Sequence, residues 1–340
     1  MSRAVLVAGA GGVGKTTLSA ALAVAAAREG LDTLVLTVDP ARRLADALGI
    51  ERLGNAPTPT PDHARLHAAM LDPSASWETL IRRHADPEAV DSILESRFFG
   101  AIADRFPAGA SYAAAEEMAS HLEAEDFEVV VVDTPPSAGG IDFFRAPRRI
   151  RSLVGGRVLR WLTGARIPAR RRLYGITARP VLKLADGVLG GPLLEDVAEF
   201  LLDLRTAYDG ISRRARSVER HFRRAAIVVV TTADPTPMRE AERFFDELPD
   251  VAGPPSAVLF NRALPEEWAA AAAHEDAGHV LEWWGSEARR QADAIEELAG
   301  RYGVIPVTIP WLPEAPTSID GLAGLLGLAS GLDLEALGIG

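Results

Sequence analysis

Continuous runs of Val, Leu and Ile recur along the chain at 5–8, 33–38, 129–133, 227–232, 257–261 and 307–309, and each predicts a β-strand. The run Val129-Val130-Val131-Val132 shows the pattern most plainly. Strands covered by helices on both faces read as unbroken apolar runs, whereas a half-solvated strand alternates, so the pattern predicts a parallel sheet between helical layers. A further short strand is expected over 66–71, and the Pro-rich stretch 56–62 reads as a loop. Between the first two strands an Ala- and Leu-rich stretch predicts a helix from Lys15 to Arg28, closed by Gly30, which makes a βαβ unit.

The stretch 141–225 breaks this rhythm. It holds no strand-like run and reads as helices interrupted at Gly155-Gly156, Pro168, Pro180 and Gly190-Gly191-Pro192. Within it Leu193, Leu194, Val197, Phe200, Leu201, Leu204, Tyr208 and Ile211 recur at three- and four-residue spacing, which predicts one amphipathic helix. The expected organisation is a discontinuous α/β domain, 1–140 with 226–335, and a helical insertion subdomain at 141–225.

Charge sharpens that division. The 340 residues carry a net charge of −11, yet 141–225 holds 19 Lys/Arg against 8 Asp/Glu and the remainder 17 against 39. An acidic body with one basic segment argues against nucleic-acid binding by the whole protein and gives that segment a separate surface task. Arg148, Arg149, Arg151, Arg157 and Arg160 surround Leu153, Val154, Leu159, Trp161 and Leu162, and Arg170 to Arg172 follow. Such a mixture suits either solvated arginines around a packed subdomain or a surface for apolar clients or an anionic membrane face. There is no cysteine, which excludes disulfides, thiolate metal sites and cysteine nucleophiles. The first eight residues briefly resemble a leader, but they run straight into a glycine loop, so a buried first strand is the better reading. No stretch of 18 apolar residues is present, and a cytoplasmic location, with peripheral contact at the inner membrane face as an option, is expected. His63, His67, His121, His274 and His279 show no metal-ligand spacing, and Trp283-Trp284 reads as packing or interface.

The chemistry is carried by Gly9-Ala10-Gly11-Gly12-Val13-Gly14-Lys15-Thr16, which fits G-x-x-x-x-G-K-[ST] after a predicted strand and at the opening of a predicted helix. Glycines let backbone N–H groups close around phosphate oxygens without Cβ clashes, and the helix N-terminus adds a favourable dipole. Gly11, Gly12, Val13, Gly14, Lys15, Thr16 and Thr17 are therefore expected to bind ATP. The Lys15 charge falls on the β- and γ-phosphates, and the Thr16 hydroxyl is suited to Mg2+. Asp133, ending the 129–133 strand, is a second candidate for Mg2+ or its waters. The fold class expected is a mostly parallel P-loop NTPase sheet flanked by helices.

The glycine loop, Asp39-Pro40-Ala41 with Leu44-Ala45-Asp46, and Asp133-Thr134-Pro135-Pro136-Ser137 together resemble the anion-transporting (ArsA-like) ATPase family. That family includes arsenite-pump ATPases and factors that target tail-anchored membrane proteins; the resemblance looks closest to an actinobacterial branch of paired, non-identical subunits. It implies that Asp39 positions or activates the attacking water and contributes to the metal site, and that Asp133 is the switch II aspartate. Asp46 would be a structural partner in the switch region. Asn261 matches the family's adenine-reading asparagine, and the loop 310–313, with Pro310, would pack near the adenine. Three departures bear on function. Ala10 stands where the family usually has a signature lysine that reaches a partner's ATP, the stretch after Asp133-Thr134 is Pro135-Pro136-Ser137-Ala138-Gly139, and thiolates for arsenite are lacking. Expected partners are thus a paralogous subunit that keeps the lysine, in a heterodimer, or a second copy, with an apolar client or membrane face at 141–225. The reading is an ATP-hydrolysing dimeric switch, not an arsenite pump; the alternatives are a weakly hydrolysing regulatory subunit or, least favoured, a partition ATPase.

Overall fold

A computed structural model describes residues 2–38, 43–100, 107–135, 140–154, 191–271 and 279–339. By internal contacts the chain divides into two compact units. One comprises 1–72, 117–144 and 220–340, the other 73–116 and 145–219.

The first unit is built on an eight-stranded sheet. Its strands are β1 (Arg3–Gly9), β2 (Thr33–Thr37), β3 (Thr58–Thr60), β4 (His63–Met70), β5 (Val129–Asp133), β6 (Ala226–Thr231), β7 (Ala257–Ala263) and β8 (Pro306–Pro310). Their order across the sheet is β3-β4-β2-β5-β1-β6-β7-β8. Every pairing is parallel except β3 with β4. The expected α/β sheet is therefore present, and β2, β5 and β6 are buried almost throughout, as their unbroken apolar runs require. The loop expected over 56–62 is corrected in part: Thr58–Thr60 pairs antiparallel with β4 at the sheet edge. A three-residue strand carrying Pro59 is tolerated at an edge, and its hydrophobic pattern is too short to register.

Helix α1 (Lys15–Arg28) lies inside the core; Leu18, Leu22 and Val24, and the alanines 20, 21, 23, 26 and 27, are buried. A helix enclosed on nearly all sides needs small side chains all round rather than one apolar stripe, which is what its Ala-rich sequence supplies. It ends in a Schellman closure: Gly30, at φ 89°, donates to Ala27 O at 3.0 Å, and Leu31 N donates to Ala26 O at 3.2 Å. Farther along, the rings of Phe143, Phe144 and Phe222 pack edge-on or tilted with centroids 5.3 Å apart and are fully buried.

The second unit is helical where described. Trp77 of the helix Pro73–His84 packs on Tyr112 at 5.6 Å and donates its indole N–H to Gly109 O at 3.1 Å. Glu116 and Arg214, both largely buried, pair at 2.7 Å. The single helix expected across 193–211 is corrected: Gly191–Leu204 and Tyr208–Phe222 are separated by a 3-10 turn, Arg205–Ala207. Thr206 supplies the reason, since its hydroxyl donates to Asp203 O at 2.8 Å while accepting from Asp86 N at 3.1 Å. A hydroxyl that takes a backbone carbonyl three residues back competes with the α-helical ladder and tightens the turn. Phe200, Tyr208 and Ile211 remain buried on both sides of the break. Among the described residues no helix is long and apolar enough to cross a membrane.

Candidate functional site

β2 and β5 end level in the sheet, with Thr37 opposite Asp133, and β1, whose Val7 also pairs with Asp133, runs two residues farther to Gly9. In an open α/β sheet that edge is where ligands bind, since the strands end there and the following loops are free to diverge. The glycine loop leaves β1 at this edge. Gly9 has to be glycine: a Cβ there would stand 2.1 Å from Val230 O of the neighbouring β6. The loop then turns through Gly14, at φ 97° and ψ 21°, into α1.

Several features of the loop fit a bound polyphosphate. Nothing lies within 4 Å of the positions a Cβ would take at Gly11 and Gly12, so the loop backbone is open on that side. The start of α1 has no side-chain cap and no acidic residue in its first turn. Its N-terminal N–H groups and partial positive charge are thus left for an anion. Lys15 is 6% exposed, and its Nζ donates to Ala10 O at 2.7 Å, which holds the ammonium over the loop.

The carboxylate sits beside them. Thr16 Oγ1 donates to Asp133 Oδ2 at 2.7 Å, and Thr37 Oγ1 donates to the same oxygen at 3.0 Å. Asp133 is 2% exposed, so these hydroxyls hold a buried carboxylate at the mouth of the loop. Hydroxyl and carboxylate oxygens are the hard ligands that suit Mg2+, so Thr16 and Asp133 fit the metal the sequence implied. Thr37 was not among the residues singled out from sequence. Its only signal is a hydroxyl residue at a strand's C-terminal end, two positions before Asp39. Thr134 ties the segment after β5 to β1: its N–H and Oγ1 both donate to Val7 O, at 3.2 Å and 2.9 Å.

Two of the expected site stretches lie outside the described residues: Asp39, with Pro40 and Ala41, and Pro136 to Gly139. Asp46 lies in the short helix Arg43–Ala47 and is exposed. Thr17 follows Thr16 in the first turn of α1. Asn261, near the end of β7, is brought onto the loop itself: Nδ2 donates to Val13 O at 2.8 Å, and Oδ1 accepts from Arg262 N at 3.0 Å. Pro310 ends β8 opposite Ala263, and the following Trp311 N donates to Ala263 O at 2.9 Å.

The helix His279–Tyr302 fastens the neighbouring loops. Arg290 donates to Ala233 O, after β6, at 3.0 Å, and Gln291 Oε1 accepts from Leu264 N, after β7, at 3.0 Å. Hydrogen bonds from Arg290 also hold the Glu287 carboxyl below the usual carboxylate range. Among the described residues no cluster of three or more His, Cys, Asp or Glu could hold a metal ion.

A family model described as anion-transporting ATPase matches residues 2–332 of the chain. The chain is 26% identical over 341 positions to a putative arsenical pump-driving ATPase of Halobacterium salinarum, an alignment covering 96% of this chain and 44% of that protein. It is 24% identical over 269 positions to ATPase get3 of Aspergillus terreus (77% of this chain, 73% of the relative). It is 25% identical over 261 positions to ATPase GET3 of Mycosarcoma maydis (76% and 71%). The chain thus spans less than half the length of the archaeal relative and about three quarters of the fungal ones.

Proposed function

The chain belongs to the anion-transporting ATPase family, and from that premise we propose that it binds Mg2+·ATP at the glycine loop and hydrolyses it as one subunit of a two-subunit switch. The observation that carries this reading is the meeting of Lys15, Thr16, Thr37 and Asp133 at one sheet edge, beside an uncapped helix N-terminus.

In this mechanism the loop N–H groups bind and orient the phosphates, and the Lys15 ammonium exchanges the Ala10 carbonyl for phosphate oxygens. Thr16 and Asp133 would hold the metal, and Thr37 fixes the carboxylate's orientation by donating to the same oxygen as Thr16. Bound Mg2+ would neutralise charge on the β- and γ-phosphate oxygens. Asp39 would orient the attacking water and take up its proton. Positioning and charge stabilisation supply most of the rate in phosphoryl transfer, so every group here either places an atom or neutralises a charge.

Ala10 supports a paired arrangement, because a methyl group cannot reach a partner's nucleotide with charge. A paralogous subunit that keeps a lysine at this position would complete the site in trans, the role other cationic fingers play. ATPase assays of the purified chain, alone and mixed with its paralogue, are expected to show turnover rising by roughly 10²-fold or more on mixing. Full turnover by the isolated chain would remove the partner from the mechanism. Low turnover in both states would instead favour the reading of a nucleotide-binding regulatory subunit.

The basic stretch 141–225 is proposed as the face that reads the nucleotide state out to an apolar client or an anionic membrane. Leu153 is 45% exposed next to exposed Arg149, in keeping with such a face, while 155–190 lies outside the described residues. Removing 153–189 is expected to abolish co-sedimentation with anionic vesicles or capture of apolar helical peptides while sparing ATP affinity. Unchanged association would end that role.

A further inference from the structure

We infer that the opening turns of the helix His279–Tyr302, together with Trp268, form a docking surface for a basic amphipathic helix of a separate protein. Nothing in the chemistry of this surface requires the ATP-binding reading above.

The helix buries one stripe of its surface, which includes Ala288, Ile295, Leu298 and Ala299. The same three- and four-residue spacing carries that stripe back through Trp284 and Leu281. There it is uncovered: Leu281 and Trp284 are exposed, Val280 beside them is 74% exposed and Trp283 63%. The apolar stripe is thus longer than the core beneath it, and a contiguous apolar patch of this kind marks an interaction site. Its rings are braced before any partner arrives. Trp284 meets Trp268 edge-on at 5.8 Å and Trp283 edge-on at 4.9 Å. Arg289 donates to Ala269 O at 3.0 Å, which ties this helix to the short helix Glu266–Ala271 that carries Trp268. Trp268, His279, Val280, Leu281 and Trp284 line an open pocket of about 400 Å3. Aromatic anchors already held in place lose little entropy on binding, and such residues dominate the energy of protein interfaces.

Charge selects the occupant. From Ala263 to Ala288 the sequence holds six Asp/Glu and no Lys or Arg. The two arginines that follow are engaged within the chain, Arg289 on Ala269 O and Arg290 on Glu287 and Ala233 O. A two-fold pairing of the patch with its own copy would set this acidic stretch against itself, and an anionic bilayer would repel it. A helix with Arg or Lys flanking an apolar face suits both features. Its apolar side chains fill the pocket, and its cations lie over the tryptophan faces or against the exposed Glu267 and Glu282.

The test is fluorescence anisotropy of a labelled synthetic helix of about 18 residues, leucine on one face and arginine on the other, beside its glutamate counterpart. Each is titrated with the wild-type chain, with Val280→Ser/Trp283→Ser and with Glu267→Lys/Glu282→Lys. All four substituted side chains are exposed, so melting temperatures should stay at the wild-type value; where one variant melts early, the other carries the comparison. The arginine helix is expected to bind the wild type, each variant to weaken it by roughly tenfold, and the glutamate helix to bind none of the three. Affinity left unchanged by either variant overturns the proposal, since the attraction would then belong to the acidic body as a whole or to apolar contact alone. No binding of the arginine helix, or equal binding of the glutamate helix, overturns it as well. A wild-type dimer in sedimentation that Val280→Ser/Trp283→Ser makes monomeric would put a second copy on the patch. Binding to anionic vesicles that the same variant abolishes would put a membrane there, and either result rejects the basic helix.

Discussion

Replacing Lys15 with methionine is expected to lower kcat/KM for Mg2+·ATP by about 10³-fold or more, with a matching loss of ATP affinity measured by calorimetry. Methionine keeps most of the stem's length and apolar volume, so the core around α1 should stay packed and the melting temperature should change little. The effect is large because Lys15 is almost wholly buried, with its ammonium held over the loop by a 2.7 Å bond to Ala10 O. A charge fixed in a water-poor site loses little to screening and needs little reorganisation when the phosphates arrive. Affinity and turnover within a factor of two of wild type would remove Lys15 from the site.

Asp39→Asn should separate the two activities. Turnover is expected to fall by roughly 10² to 10⁴-fold, while ATP affinity stays within a few-fold of wild type, because the change removes a proton acceptor and leaves the phosphate cradle intact. Single-turnover hydrolysis beside equilibrium binding makes the comparison. Parallel loss of both would place Asp39 in ground-state binding, and unchanged hydrolysis would place the water-activating group elsewhere.

The central strands and the glycine loop were legible in sequence for the same physical reason: each is a local pattern. Four consecutive valines before Asp133 can only be satisfied by cover on both faces. Gly9 and Gly14 mark places where a Cβ would collide or where the backbone turns left-handed. What was not legible depends on distant parts of the chain meeting. Thr37 becomes a site residue only because β2 and β5 pair in a register that sets it opposite Asp133. Asn261 reaches Val13 because β7 and the loop share one sheet edge, a meeting no local window reveals. The break at Arg205–Ala207 leaves the apolar spacing intact and turns on one threonine hydroxyl, so periodicity alone reads through it. Residues 73–116 share a compact unit with 145–219, and nothing in their composition marks that association.

In the proposed mechanism a backbone cradle and a buried lysine together hold a magnesium-bound triphosphate. Isothermal titration of the wild-type chain with millimolar Mg2+·ATP and Mg2+·ADP, alone and with its paralogous subunit, tests it directly. Saturable nucleotide binding that Lys15→Met abolishes is expected. Absence of binding to either nucleotide, with the partner present as well, would contradict it.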